Sequence, residues 1–144
     1  MNEAAELPAD DAPVPDPTPL YRLVPTDHCD PVDGAWVFQS GAFDNNKDDD
    51  MSIVLDDTLQ ALGRIPDDLP DRTFPGQEGR WGVAVIHDAG YLRNDLEQEV
   101  RRTPRAEEPP EPAHGDVHGR KNGNRRKKIK ARAEWVLEPA APAD

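Results

Sequence analysis

The sequence predicts an α+β domain, with a small mixed or antiparallel sheet of about five strands and a basic amphipathic helix packed on it at the C-terminal end. Three observations lead to this prediction. Short runs of β-branched and aromatic residues recur along residues 20–119, separated by Pro, Gly and Asp. Lys, Arg and Ala, which favour helix, then fill most of residues 125–133. The length of 144 residues suits one small domain.

Proline and acidic residues set the limits of that domain. Residues 1–19 contain five prolines among Asp, Glu and Ala, which leaves too little apolar surface to offset the entropy cost of ordering. We therefore expect a disordered acidic tail over residues 1–19 and a second disordered tail over residues 138–144. The single folded domain should cover residues 20–137.

The first half of the domain contains three predicted strands and one short helix. Residues 20–24, 35–38 and 51–55 are each rich in apolar, branched or aromatic side chains, which fit a pleated surface. Asp56 offers the chemistry of a helix start, and Gly63 is a natural stop. We expect a short helix between these two residues.

The second half begins with a predicted long loop over residues 66–79, which hold three prolines. Residues 80–87 form the most hydrophobic run and predict a central strand that is buried on both faces. Residues 89–96 have the length of about two helical turns. Residues 97–102 fit either an exposed edge strand or an extension of that helix, and Pro104 ends any regular element there.

The charge is unevenly distributed along the chain. Seventeen Lys and Arg stand against 29 Asp and Glu, and the formal net charge of −12 argues against a protein that coats nucleic acid or membrane with its whole surface. Eight of the seventeen basic residues nevertheless lie between Arg120 and Arg132, with no acid among them. Any contact with a polyanion should therefore be local. The acidic balance also suits a halophilic source, which stays a hypothesis.

Cysteine usage and hydropathy indicate the compartment. Cys29 is the single cysteine, so no intrachain disulfide is expected. No apolar run approaches the ~20 residues of a membrane span, and the acidic first residues differ from a secretory signal. We expect a soluble cytoplasmic protein with no membrane partner. No cofactor motif is present, so none is expected.

The predicted basic helix starts at Asn122 or Asn124, since either can cap it. Its apolar stripe, which would dock on the sheet, consists of Ile129, Ala133, Val136 and Leu137. The predicted anion-binding residues are Arg120, Lys121, Arg125, Arg126, Lys127, Lys128 and Lys130. Three interpretations stay open: contact with nucleic-acid phosphates, contact with an acidic protein partner, and compensation of the chain's own acidic surface.

His114, Asp116 and His118 are the candidate catalytic residues. If residues 113–119 form a strand, the two-residue period puts all three side chains on one face, ~6.6 to 7 Å apart. A histidine oriented by a carboxylate can act as a general base, and Arg120 or Lys121 would stabilise negative charge on a phosphate. Solvated polar residues are the alternative interpretation. The spacing is too wide for the two histidines to share a metal directly, and no metal site is predicted.

Short motifs along residues 20–136 resemble a family of small uncharacterised prokaryotic proteins. They are Leu20-Tyr21-Arg22, Ser40-x-Ala42-Phe43, Asp50-Met51-Ser52-Ile53, Trp81-Gly82-Val83, Pro112-Ala113-His114 and Gly119-x-Lys121. The chain departs from the pattern at Gly115, where alanine is usual. The resemblance implies no established activity. It implies only that the shared part of the fold includes Arg22, Ser40, Phe43 and His114.

These features together predict a small accessory binding protein whose basic helix contacts a polyanion. The alternative is a small phosphodiester-cleaving enzyme or toxin that uses His114 or His118. A concave pocket that combines either histidine with Arg120 or Lys121 would favour the enzyme, whereas a flat exposed helix would favour binding. The partner, the substrate and the oligomeric state are not indicated by the sequence.

Overall fold

A computed structural model of the chain describes residues 7–46, 48–77 and 79–141. The strands are β1 (Leu20–Pro25), β2 (Cys29–Val32), β3 (Ala35–Phe38), β4 (Asp50–Leu55), β5 (Trp81–Ile86), β6 (Glu99–Arg102), β7 (His114–His118) and β8 (Ala133–Leu137). The α-helices are α1 (Asp56–Ala61), α2 (Leu69–Thr73), α3 (Ala89–Asn94) and α4 (Gly123–Ala131). Three short 3-10 segments, including Ser40–Phe43, connect them. The described residues therefore form the α+β fold that the sequence predicts.

Six strands form one antiparallel sheet in the order β6-β7-β4-β1-β5-β8, and β2 and β3 form a separate hairpin. The sheet has one strand more than the expected five or so. Residues 97–102 resolve as the edge strand β6 rather than as a helix extension. The hydrophobic run at residues 80–87 forms β5, in which only Trp81 is less than fully buried.

Apolar side chains cover both faces of the large sheet. On what we call the first face, Leu20, Ile86 and Val117 pack against the Ser40–Phe43 segment and against Ile129 of α4. On the second face, Tyr21, Val54, Val83 and Val85 pack against Leu59 of α1 and Leu69 of α2. Each fully buried side chain of this size contributes about 1.5–3 kcal/mol. The alternation of β1 between these faces places Arg22 among the residues of the first face.

The predicted basic helix is wrong in its length and in its position at the C-terminus. α4 ends at Ala131, and the following β8 pairs with β5 along the opposite edge from β6. Of the expected apolar stripe, only Ile129 is buried in the helix. The other three residues belong to β8, where Trp135 lies opposite Ala84. Residues 133–137 are rich in β-forming side chains and complete the open edge of β5, which overrides local helix propensity.

Parts of both segments for which the sequence predicts tails lie against the domain. Val14 is 1% exposed, and Arg102 Nε donates a hydrogen bond to the carbonyl of Ala12 at 3.0 Å. At the other end, Pro139 is buried and Trp36 Nε1 donates to the carbonyl of Ala140 at 2.7 Å. Distant side chains supply the contacts that these proline-rich segments lack locally. Residues 1–6 and 142–144 lie outside the described residues.

The long loop expected at residues 66–79 contains regular structure. Pro66 and Pro70 each lie in the first turn of a short helix, a position where the missing N–H has no intrahelical partner to lose. Leu69 of α2 is fully buried against the second face of the sheet. Within the described ranges, no helix is both long enough and apolar enough to cross a membrane.

Candidate functional site

The three candidate catalytic residues lie on β7, which pairs with β4. His114, Asp116 and His118 face the second side of the sheet and are half-buried, whereas Gly115 and Val117 are buried on the first side. The three side chains thus share one face, as the period of a strand predicts. The register places Val54, Ser52 and Asp50 of β4 opposite the three residues in turn.

His118 contacts a carboxylate. Its Nδ1 lies 2.6 Å from Asp50 Oδ1, and the two side chains are 34% and 30% exposed. This contact fixes the orientation of the imidazole and engages Nδ1, so Nε2 is the nitrogen that could act as a base. The carboxylate in contact with His118 thus comes from the neighbouring strand β4 and not from Asp116 of the same strand.

His114 has different partners and a different environment. Its Nδ1 lies 3.0 Å from both the hydroxyl and the carbonyl oxygen of Thr103. In one tautomer Nδ1 donates to the carbonyl, and in the other it accepts from the hydroxyl. His114 also lines a cleft of about 250 Å³ together with Ser52, Arg105 and Glu111. The two histidines therefore belong to separate arrangements and do not form one catalytic unit.

Lys121 does not present its charge to solvent. The side chain is buried, and its Nζ donates to Asn45 Oδ1 at 2.5 Å and to the carbonyls of Val117 and Gly119 at 2.8 and 3.0 Å. Burial lowers the pKa of the ammonium to about 8, although the nearby carboxylate of Asp50 acts in the opposite direction. Lys121 ties the turn after β7 to the loop before β4, which is a structural role.

Two arginines of α4 lie close to carboxylates. Arg125 Nη2 is 3.3 Å from Glu97 Oε2, and Arg126 Nη1 is 3.5 Å from Asp44 Oδ2. Both guanidinium groups also donate to backbone carbonyls that precede the helix. The charge of Arg125 and Arg126 is therefore partly compensated within the chain.

The remaining basic side chains of this region form what we call the basic surface. It consists of Arg120, Lys127, Lys128, Lys130 and Arg132. Within the part of the chain that the structure describes, none of the five forms an ion pair. The guanidinium of Arg132 lies 3.9 Å from the centroid of the Tyr91 ring. Arg132 is not among the predicted anion-binding residues, although the acid-free basic segment that extends to this residue was the available signal.

The basic surface and the histidines lie on opposite sides of the sheet. Ile129 anchors α4 to the first face, beside the Ser40–Phe43 segment, whereas His114 and His118 project from the second face. Lys121 is also buried, and the cleft that His114 lines includes neither Arg120 nor Lys121. In residues 7–46, 48–77 and 79–141, no three His, Cys, Asp or Glu side chains are arranged to hold a metal ion.

Arg22 joins several of the motif residues on the first face. Its Nε donates to the carbonyl of Ala42 at 2.9 Å, and its Nη1 donates to the carbonyl of Ser52 at 2.7 Å and to Asn46 Oδ1 at 3.1 Å. Its Nη2 donates to the carbonyl of Asp44 at 3.2 Å. Burial lowers the pKa of Arg22 to about 10, although the negative charge of Asp44 acts to raise it. The guanidinium thus connects β1 to the Ser40–Phe43 segment and to β4.

Comparisons of the chain with models of protein families, with characterised proteins and with solved structures find no match. The resemblance on the short motifs therefore stays a prediction. The contacts of Arg22, Ala42 and Ser52 give these motif residues a structural reason to occur together. They assign no activity.

Proposed function

We propose that this protein is a small accessory binding protein that contacts a polyanion through the basic surface. The observation that carries the proposal is the concentration of positive charge on that surface in a chain with a net charge of −12. Lys127 and Lys128 are exposed on α4, and Arg120 is exposed just before it. Clustered cations that attract phosphates release condensed counterions, which gives affinity without sequence specificity.

Two features favour an external anion over compensation of the chain's own acids. Carboxylates approach Arg125 and Arg126 at the base of α4, but none is found within ion-pair distance of Lys127 or Lys128 among the described residues. The first turn of α4 also contains no acid, although a helix N-terminus favours negative charge. An external anion would reduce the electrostatic repulsion among the basic side chains of α4.

The chemistry of the surface favours contact with a phosphate backbone rather than with bases. Stacking on nucleobases requires accessible aromatic faces, and Arg132 covers the ring of Tyr91 beside α4. We therefore test nucleic acid first and treat an acidic protein as the alternative partner.

The test is fluorescence anisotropy with short labelled RNA and DNA at low and high salt. Lys127→Glu with Lys128→Glu should abolish binding, because it replaces two exposed cations of the surface with anions. The matched control, Arg72→Glu with Arg80→Glu, makes the same change in net charge at exposed sites away from α4. Equal loss in both double variants, or no binding at low salt, would contradict the proposal.

Phosphodiester cleavage at His118 is the second candidate function. The 2.6 Å contact between His118 Nδ1 and Asp50 Oδ1 favours it, since an oriented imidazole can act as a general base. Arg101 of β6 lies opposite Asp116 on the same face, forms an ion pair with Glu99, and is a candidate to stabilise negative charge. Cleavage of RNA that is lost in His118→Ala but kept in His114→Ala would support this function. Equal activity of the wild type and His118→Ala would exclude it.

A further inference from the structure

The second face of the sheet is only partly covered, and the gap forms the cleft that His114 lines. Leu23 and Ser52 contribute to its floor, and Phe74 and Trp81 lie on one side. Its volume of about 250 Å³ is close to the lower end of the range for small-molecule sites. α1 and α2 pack over Val54 and Val83, and Thr73 at the end of α2 lines the cleft.

One side of the cleft is an aromatic wall. Phe74 and Trp81 are stacked, with ring centroids 4.0 Å apart and an angle of 13° between the ring planes. Trp81 Nε1 donates to Gln77 Oε1 at 2.8 Å, which fixes the indole in place. Both rings are half-buried, so they retain accessible surface. A rigid aromatic wall of this kind favours a flat ring as its ligand.

Glu111 contributes no free negative charge to the cleft, although it is the sole carboxylate among the described lining residues. Its two oxygens each accept a hydrogen bond from Arg64 at 2.8 Å, and one also accepts from the N–H of Ala113 at 3.1 Å. The carboxylate is therefore neutralised by Arg64. An anionic ligand would meet little repulsion from it.

Arg105 supplies positive charge on the same side. Its Nε and Nη2 both donate to the carbonyl of Pro109, at 3.2 and 3.0 Å, which holds the guanidinium in position. No carboxylate pairs with Arg105 within the described residues. His114 and Ser52 also line the cleft. The cleft thus combines a fixed cation, two hydrogen-bonding groups and an aromatic wall.

We propose that this cleft binds a small planar aromatic molecule that carries one anionic group. The ring packs against Phe74 and Trp81, and the anionic group lies towards Arg105, within reach of His114 and Ser52. Mononucleotides and aromatic carboxylates both have this chemistry. The site is independent of the basic surface, which lies on the opposite face of the sheet.

The experiment is isothermal titration of the full-length protein with two sets of probes. The first set is the nucleoside monophosphates and an indole carboxylate, which have both the ring and the anion. The second set is a nucleoside, indole and inorganic phosphate, each of which has one feature alone. We expect binding of at least one probe in the first set, at least tenfold tighter than the matching probe in the second set. If the nucleoside monophosphates bind, the ligand is a mononucleotide; if the indole carboxylate binds, it is an aromatic carboxylate. No binding of any first-set probe, or equal binding of both sets, would overturn the proposal.

Variants locate the site. Arg105→Gln should weaken binding of the anionic probe at least tenfold and leave the nucleoside or indole unaffected, because it removes the charge alone. Since this change also alters the contact with Pro109, Ser52→Ala and Phe74→Leu provide second tests that leave Arg105 in place. The matched control is Arg93→Gln, which removes an arginine on α3 that lies outside the cleft and also donates to a backbone carbonyl. Unchanged affinity in all three cleft variants, with folding verified by circular dichroism, would place the ligand elsewhere and refute the assignment.

Discussion

Replacement of Arg22 by methionine should destabilise the fold strongly. The guanidinium donates to three backbone carbonyls and one side-chain amide, and the side chain is buried. Methionine keeps most of the apolar stem but leaves the carbonyls of Ala42 and Ser52 without these donors. An unpaired buried acceptor costs about 1–3 kcal/mol. Asp44 and Asn46 lie nearer to solvent and can recover a hydrogen bond from water.

The expected loss in the free energy of unfolding is therefore about 2–6 kcal/mol, a large part of the ~5–15 kcal/mol that small domains have. Urea denaturation followed by circular dichroism measures it, with Arg22→Lys as a second variant that keeps the charge but has only one donor group. Arg80→Met is the matched control, because Arg80 is exposed. A loss of less than about 1 kcal/mol in Arg22→Met, or a loss equal to that of the control, would refute the assignment of Arg22 as the connection between β1, β4 and the Ser40–Phe43 segment.

Three further predictions concern buried groups. Burial alone would raise the pKa of Glu111, but the contacts with Arg64 outweigh it and hold the pKa below 4.5. The stability that this carboxylate contributes is present above that value and is lost as the pH falls below it. Urea titrations at several acidic pH values should therefore show a smaller loss in the free energy of unfolding for Arg64→Met than for the wild type. Lys121 should show the same direction of change at alkaline pH: because burial lowers its pKa from 10.5 to about 8, stability should rise as the pH rises from 8 to 10.5, and Lys121→Met should lack the rise. Gly115→Ala should lower the free energy of unfolding by roughly 1–3 kcal/mol, and with it the urea midpoint, because a Cβ there would lie 2.7 Å from the carbonyl of Arg101; an unchanged midpoint would contradict this close packing.

Local patterns predicted the elements whose structure depends on local chemistry. The alternation of residues 113–119 placed His114, Asp116 and His118 on one face, because the side-chain period of a strand is set by the backbone alone. The hydrophobic run at residues 80–87 likewise identified β5, since a strand buried on both faces needs apolar residues at every position.

Residues 122–137 show where local patterns fail. The spacing of Ile129 and Ala133 fits a helical stripe, and the same residues 133–137 fit a strand equally well. What decides between them is the open edge of β5, which comes from a segment about fifty residues earlier in the chain. No local signal reports that edge, so the helix was predicted too long.

The contacts of the site come from sequence-distant segments and could not be predicted. The partner of His118 is Asp50 across the β4–β7 pair, and Glu111 is held by Arg64. Lys121 was grouped with the exposed cations because it follows Arg120 at the start of the basic run. Its acceptors are brought together only when the turn after β7 folds against Asn45.

The central claim is that the basic surface contacts phosphates. The most direct test is the slope of the logarithm of the association constant against the logarithm of the salt concentration, measured with a short DNA duplex. If four or five side chains of the basic surface each neutralise one phosphate, the slope of the logarithm of the association constant is about −3.6 to −4.5. Lys127→Ala and Lys128→Ala should each reduce the magnitude of that slope by about 1, whereas Arg72→Ala should leave it unchanged. A slope near zero, or one that neither lysine variant alters, would contradict the account.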